Sequence, residues 1–328
     1  MISYFDDFGA LLPATLARQG LITFTSWCEM MGIGLKVKKS EVGPKITFLG
    51  LQGFFPSHHN GWKLQVSLTP EKASKWTAII RGHLKSGIIS SHELDKLIGK
   101  LCFSQTCLFG KFARTQLRCL YRKLHAPRYK ANIDSFERIT LSWWEKVISQ
   151  LTPRIPRDPE AAPDFALYTD AATSTMRIAA LLFRGLLLPP QVLILALSRA
   201  PAFRVRRFCA ENPIFGLEML APLAFLWMHR HKLQGKSVNL YIDNNNVLTS
   251  LVRGDSSSEL MAAMIACFWK IAEEFSIDIW LGRVPSKKNP ADLPTREVEL
   301  PFPVCQRVEF HELFKLLTLT NRWTPVTK

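Results

Sequence analysis

The chain lacks any pair of cysteines at the two-residue spacing of a zinc ribbon. Its seven cysteines, an odd number, are scattered from Cys28 to Cys305. That excludes a disulfide framework and points to a reducing, intracellular compartment. The opening MISYFDDF carries acids where a signal peptide needs a basic start and an apolar run. No uninterrupted apolar run is long enough to cross ~30 Å of hydrocarbon. The most apolar stretch, 178–197, is broken by Arg184, Gly185 and the pair Pro189-Pro190. It reads as two buried strands joined by a turn, so a soluble protein is expected. Fixed-period repeats and low-complexity tracts are absent as well. Acidic charge is in short supply, with 27 Asp+Glu against 42 Lys+Arg and a net charge of +15. Such an excess calls for a polyanionic partner, nucleic acid before a membrane surface.

What is there is a globular composition, 47% hydrophobic and 21% charged over 328 residues. That length holds two or three domains of ~100–200 residues. The first 51 residues alternate short elements: a strand with an acidic turn over 2–8, a helix over 16–31 weakened by Gly20, and a strand over 46–51. Helices follow. Thr69 caps one with Pro70 at its first position and Gly87 as its stop. Ser90 and Glu93 form a capping box for the next. A third covers 111–124, with Arg114, Arg118 and Arg122 every four residues on one face. Between 72 and 157 stand 17 Lys/Arg and five Asp/Glu. Trp143 and Trp144 read as core residues beside Ile139 and Val147, with base stacking as the alternative. Four prolines in 152–163 predict an extended linker. Beyond it the pattern is strand-rich, then alternating: strands at 165–169, 179–188, 192–197, 238–242 and 277–281, and helices at 213–229, 244–252 and 258–275. This is an α/β layer pattern.

Four acids stand where such folds place chemistry. Asp170 is predicted at a strand end, Glu218 in the first turns of a helix, Asp243 at a second strand end and Asp292 at a helix start. Carboxylates that follow apolar strand residues are partly buried, which disfavours their charge. Divalent cations offset that cost, and all-oxygen ligands suit Mg2+ or Mn2+.

Taken together, the motifs carry a family resemblance. Tyr168-Thr169-Asp170-Ala171, Leu217-Glu218-Met219-Leu220-Ala221, Tyr241-Ile242-Asp243-Asn244 and Asn289-Pro290-Ala291-Asp292-Leu293-Pro294-Thr295-Arg296 resemble, in order, the four acid-bearing segments of retroelement ribonuclease H domains. Tyr4-Phe5-Asp6-Asp7 is similar to the YxDD metal-binding hairpin of reverse transcriptase palms. Gly34 to Ser40 and Phe48-Leu49-Gly50 resemble the palm segments that follow it, and Lys39 resembles the palm lysine near the leaving pyrophosphate, with a solvated loop lysine as the simpler reading. The helical middle, with Leu97-Ile98-Gly99-Lys100-Leu101, is similar to that of DIRS-type elements.

The resemblance implies a partial α+β palm over 1–51, a basic helical thumb or connection over 52–151, a linker over 152–163, a ribonuclease H-like mixed sheet flanked by helices over 164–300, and a tail over 301–328. It implies that Asp170, Glu218, Asp243 and Asp292 hold two Mg2+ or Mn2+ ions, and that Asp6 and Asp7 belong to a palm metal site. The substrate would be the RNA strand of an RNA–DNA hybrid, cut to leave a 5′ phosphate. Phosphate or hybrid contacts would come from Arg114, Arg118 and Arg122, from Asn244, and from Lys287 and Lys288. The simpler readings are a solvated helix face for the arginines and helix capping for the asparagines at 244–246. Arg204 to Arg207 is a substrate-facing basic loop or a solvated one. A cytoplasmic or nuclear place is implied.

Two departures stand out. Only three residues precede the YxDD motif, so the upstream palm acid is missing and the chain alone is expected not to polymerise DNA. Pro222 sits four residues after Glu218 in the expected helix, where an interior proline costs ~3 kcal/mol. Cellular ribonucleases H carry a histidine shortly before the fourth acid, whereas here Lys287 and Lys288 occupy that loop. Three functions therefore stay open: a ribonuclease H, a polymerase part completed by a longer product of the same element, and a binding module whose site is lost.

Overall fold

The computed structural model of the chain describes residues 2–4, 7–9, 12–36, 40–54, 65–108, 111–150, 162–185, 190–196, 213–296, 298 and 306–307. They fall in two compact units, Met1–Phe109 with Cys119–Arg157, and Gly110–Arg118 with Asp158–Lys328. Asp6, Lys39, the basic loop 204–207, nearly all of the linker and most of the tail lie outside the described residues.

The first unit opens with an antiparallel hairpin of β1 (Ile2–Tyr4) and β2 (Asp7–Gly9), in which Tyr4 faces Asp7. Helix α1 (Ala14–Met30) follows. The strand expected over 46–51 is interrupted at Leu49-Gly50, where a turn joins two strands, β3 (Lys45–Phe48) and β4 (Leu51–Phe54). The cause is local. Leu49 and Gly50 are left-handed, at φ 50° and 74°, and two such residues in a row make the tight hairpin turn that matches strand twist. The Lys72 ammonium closes over this turn, donating to the Gly50 carbonyl at 3.1 Å and lying 4.4 Å from the Phe103 ring centre. A Cβ at Gly50 would collide with it. Strand β5 (Gln65–Leu68) completes the three-stranded sheet.

Helices α2 (Pro70–Ser86) and α3 (Ser91–Ser104) begin and end as their caps dictate. The Thr69 hydroxyl accepts from the Lys72 N–H, Gly87 is left-handed at φ 69°, and Ser90 and Glu93 cap reciprocally. Helix α4 is Phe112–Leu124 and α5 is Ser135–Gln150. Trp144 is fully buried with Leu141 and Ile148, while Ile139 is 58% exposed. The core stripe of α5 is therefore one residue out of phase with Ile139. Trp143 meets Trp144 edge-on at 5.0 Å.

Where α4 meets α5, the Lys123 ammonium donates to the Glu137 carboxylate at 2.8 Å and to the Asn132 carbonyl at 2.7 Å. Glu137 also accepts from the Asp134 N–H at 2.9 Å, and Asp134 returns a cap to the Glu137 N–H at 2.8 Å. Both members of the ion pair are buried.

The second unit is built on β6 (Phe165–Ala172), the central strand. On one side lie antiparallel β7 (Arg177–Phe183) and β8 (Gln191–Ala196), with β11 (Gln306–Arg307) parallel at the edge. On the other lie parallel β9 (Ser237–Ile242) and β10 (Asp278–Arg283). The order is β10-β9-β6-β7-β8-β11. Strand β7 is almost wholly buried, which is why 178–183 reads as an unbroken apolar run. Helices α6 (Pro213–His229), α7 (Asn245–Arg253) and α8 (Glu259–Glu274) flank the sheet. Helix α6 packs against β6, β7 and α8, and α7 against β9 and β10. A four-residue helix, α9 (Asp292–Thr295), packs against β6 and β7. This is the mixed sheet flanked by helices that the sequence implied.

Pro222 does not end α6, which continues through it to His229. Every residue from Leu217 to Leu226 is buried, so packing outweighs the local cost. Asp170 is not at its strand's end either, because β6 runs two residues further and pairs Asp170 with Ala179. On the face that carries Asp170, Tyr168 and Tyr241 stack at 4.8 Å. The Tyr241 ring lies over Gly282, where a Cβ would fall 2.9 Å from Cε1. Among the described residues no helix is long and apolar enough to cross a membrane.

Replacing Lys123 with Met leaves the buried Glu137 carboxylate without its counter-charge. Removing one partner of such a pair costs ~3–5 kcal/mol. Denaturant unfolding of Lys123→Met is expected to show a loss of that order, and an unchanged midpoint would remove the ion pair from the fold's essential contacts.

Candidate metal centre

Adjacent parallel strands bring the first two acids together. Thr169 of β6 is in register with Ile242 of β9, so Asp170 and Asp243 come next on strands that are ~4.8 Å apart. Glu218 arrives from the first turns of α6, which is packed on β6. One carboxylate oxygen from each of Asp170, Glu218 and Asp243 lies within 4.8 Å of the other two. Asp170 and Glu218 are buried, at 5% and 7% exposure.

Burial and mutual repulsion hold protons on this cluster. Burial raises Asp170 to about 6, helped by the charges of Asp243 and Asp292 and opposed by hydrogen bonds from Thr295 and the Ala171 N–H. Burial raises Glu218 to about 9, helped by Asp243 and Asp170 and opposed by a hydrogen bond from the Asn244 side chain. The buried Oδ1 of Asp243 accepts no hydrogen bond. A buried carboxylate oxygen without a partner is costly, and a cation shared with its two neighbours is the partner that three oxygens so close would suit. The residues present therefore fit a hard divalent ion.

Asp292, the fourth acid, is not in this group. It starts α9, and its Oδ1 accepts from the Arg296 Nε at 2.7 Å. Its charge is still felt at Asp170. Asn244 caps α7, its Oδ1 accepting from the N–H groups of Asn246 and Val247 at 3.0 and 3.3 Å. Its side chain thus serves both the helix and Glu218. Lys287 and Lys288 are exposed in a single turn, Ser286–Lys288.

The arginines of α4 are differently placed. In the second unit, Arg118 is ion-paired with Asp255, and Arg114 Nη1 donates to the Val252 carbonyl at 3.5 Å. Both therefore have protein partners there. Arg122 is exposed and belongs to the first unit. Asp7 lies in β2.

Two supports were not foreseen as such. The Thr295 hydroxyl, fully buried, sits 2.6 Å from Asp170 Oδ2. The Asn289 amide donates to the Thr169 carbonyl at 3.0 Å, one residue before Asp170, and its Oδ1 accepts from the Ala291 N–H. Both lie inside the Asn289–Arg296 motif, whose non-acidic letters were the available signal.

No protein-family model matches the sequence, and no curated protein matches it. Among solved structures the chain is similar to the foamy viral protease-reverse transcriptase dRH in complex with double-stranded DNA, at 14% identity and a TM-score of 0.38 over 83% of this chain and 44% of that one. It is similar also to the foamy viral protease-reverse transcriptase in complex with double-stranded DNA, at 12% identity and a TM-score of 0.33 over 83% of this chain and 52% of that one. The chain thus spans about half the length of these proteins.

The raised carboxylates set a pH dependence. Asp170 and Glu218 ordinarily titrate near 3.8 and 4.5 and are held at about 6 and about 9. The folded protein therefore binds protons that the unfolded chain releases, and stability falls as pH rises from about 4 towards 9. Calorimetry without metal is expected to show Tm falling over that range, and a flatter slope between pH 6 and 9 for Glu218→Gln. Equal slopes for the two proteins would remove Glu218 from the linkage.

Proposed function

We propose that this chain is a retroelement-derived ribonuclease H that hydrolyses the RNA strand of RNA–DNA hybrids with divalent metal ions. The observation that carries the reading is the convergence of buried Asp170 and Glu218 with half-buried Asp243 within 4.8 Å, the buried Asp243 Oδ1 being unpartnered. The strand order around β6 and the motif resemblance support it. Divalent ions held there would supply a lowered water pKa and stabilisation of the leaving 3′ oxygen. The chain's own residues do the rest. Asp170 and Asp243 hold their carboxylates rigidly because neighbouring strands fix them. Thr295 and Asn244 orient Asp170 and Glu218. Lys287 and Lys288, exposed beside the anchored Asn289, offer charge to the hybrid backbone, and the net charge of +15 suits that partner. Strand choice would rest on 2′-hydroxyl contacts and groove shape.

The first unit is proposed to be the end of a reverse transcriptase palm over 1–51 and a thumb or connection over 52–151, of a DIRS-like element acting in the cytoplasm or nucleus. The β1–β2 hairpin, with Tyr4 opposite Asp7, favours the palm reading. RNA-directed DNA polymerisation would then need the rest of a palm from a longer product.

The test is cleavage of a labelled RNA–DNA hybrid by the purified chain in Mg2+, beside Asp243→Asn. Wild type is expected to cut the RNA strand and Asp243→Asn to lose at least about a hundredfold, the range for removing a group that acts directly in such chemistry. Failure of the wild type to cut, with hybrid binding still present and falling with salt, would replace this reading with a binding module.

A further inference from the structure

The fourth carboxylate stands apart from the other three and has a partner of its own. Asp292 Oδ1 is engaged by the Arg296 Nε at 2.7 Å, one helical turn away. The Arg296 side chain is 69% exposed and the Asp292 side chain 32%. Both Asp292 and Asp170 act on the Arg296 charge, raising its pKa. The guanidinium therefore sits on the fourth carboxylate, with the Asp170 charge adding to the attraction. A cation using Asp292 together with Asp170 would meet that positive charge and would have to displace it.

We propose that Arg296 is a latch on Asp292: it keeps the fourth carboxylate neutralised until a substrate phosphate draws the guanidinium away and opens a second cation position. This rests on the reading of Asp170, Glu218 and Asp243 as a metal centre. Three features of the pair fit the role. It is exposed, and exposed pairs are weak. The outer end of the side chain reaches solvent, where a phosphodiester can approach. Guanidinium binds phosphate through two parallel hydrogen bonds, so a backbone phosphate offers it a better partner than one carboxylate oxygen. Asp292 itself is fixed, because α9 is held to β6 by the Thr295 and Asn289 hydrogen bonds. Opening therefore needs only the arginine to move. Arg296 is a positioning residue in this scheme.

The test counts bound Mn2+ by electron paramagnetic resonance on the full chain. Without nucleic acid, wild type is expected to bind one ion, Arg296→Gln two, and Arg296→Lys, which keeps the charge, one. Adding a short DNA duplex, which supplies phosphates without a cleavable RNA strand, is expected to raise the wild-type count to two. Equal counts for wild type and Arg296→Gln, or two ions on wild type alone, would overturn the latch. A count that stays at one with the duplex would overturn its opening by phosphate. No ion on wild type under any condition would remove the metal centre itself, and the latch with it. Arg296 is exposed, so its variants are expected to melt with the wild type.

Discussion

Three carboxylates with oxygens within 4.8 Å of one another, two of the residues buried and the third half-buried, are the constraint around which the second unit is arranged. Like charges so close cannot all ionise without compensation. The fold accepts the burden through geometry. The two aspartates sit at the same level on parallel neighbours in the middle of the sheet, where neither strand can shift without breaking the register on both sides. The glutamate comes from α6, which is buried without a break from Gly216 to Leu226. The supports differ in kind. Thr295 and Asn244 favour the charged forms, while burial favours the protonated ones, and the balance leaves Glu218 raised to about 9 and Asp170 to about 6. Such a cluster is unstable as a set of free anions and is relieved by protons or by a cation.

The first unit spends its polar groups differently. Among the described residues its buried charges, Lys123 and Glu137, are paired with each other and with backbone. Its sheet is short and its helices are fixed by caps. The contrast between satisfied buried charges in one unit and crowded ones in the other is what places the candidate site in the second.

Much of this was legible from the residues. Caps at Thr69, Gly87, Ser90 and Asn244 lie in a few consecutive letters, so helix starts and stops could be read directly. The strands that build the sheet were apolar enough to find. What could not be read was anything set by tertiary pairing. Asp170 looked like a strand end because an acid follows apolar residues, but β7 pairs beyond it and extends the strand. Phe48 to Leu51 looked like strand interior because Leu49 is a leucine, and its left-handed backbone is imposed by the hairpin. Pro222 read as a costly interior proline, and the buried run from Leu217 to Leu226 carries α6 through it. Arg114 and Arg118 shared a helical face with Arg122, but partners from α7 and the turn after it, distant in sequence, decide what the first two of them touch. For the site, three of the four acids converge and the fourth does not. The fourth starts α9 and pairs with Arg296, a contact between two side chains that the letters do not display.

The tyrosine stack beneath the acids has a further meaning. Tyr168 and Tyr241 face each other across the two strands that carry Asp170 and Asp243, and the ring of Tyr241 rests on Gly282 of the third. Three residues on three strands thus share one volume. The backbone ladder of β6, β9 and β10 fixes the strand spacing, so a side chain added at position 282 has no slack to take up and meets the Tyr241 ring directly. The floor beneath the acids is close-packed across three strands, and a larger residue at 282 fits there only beside a smaller one at 241.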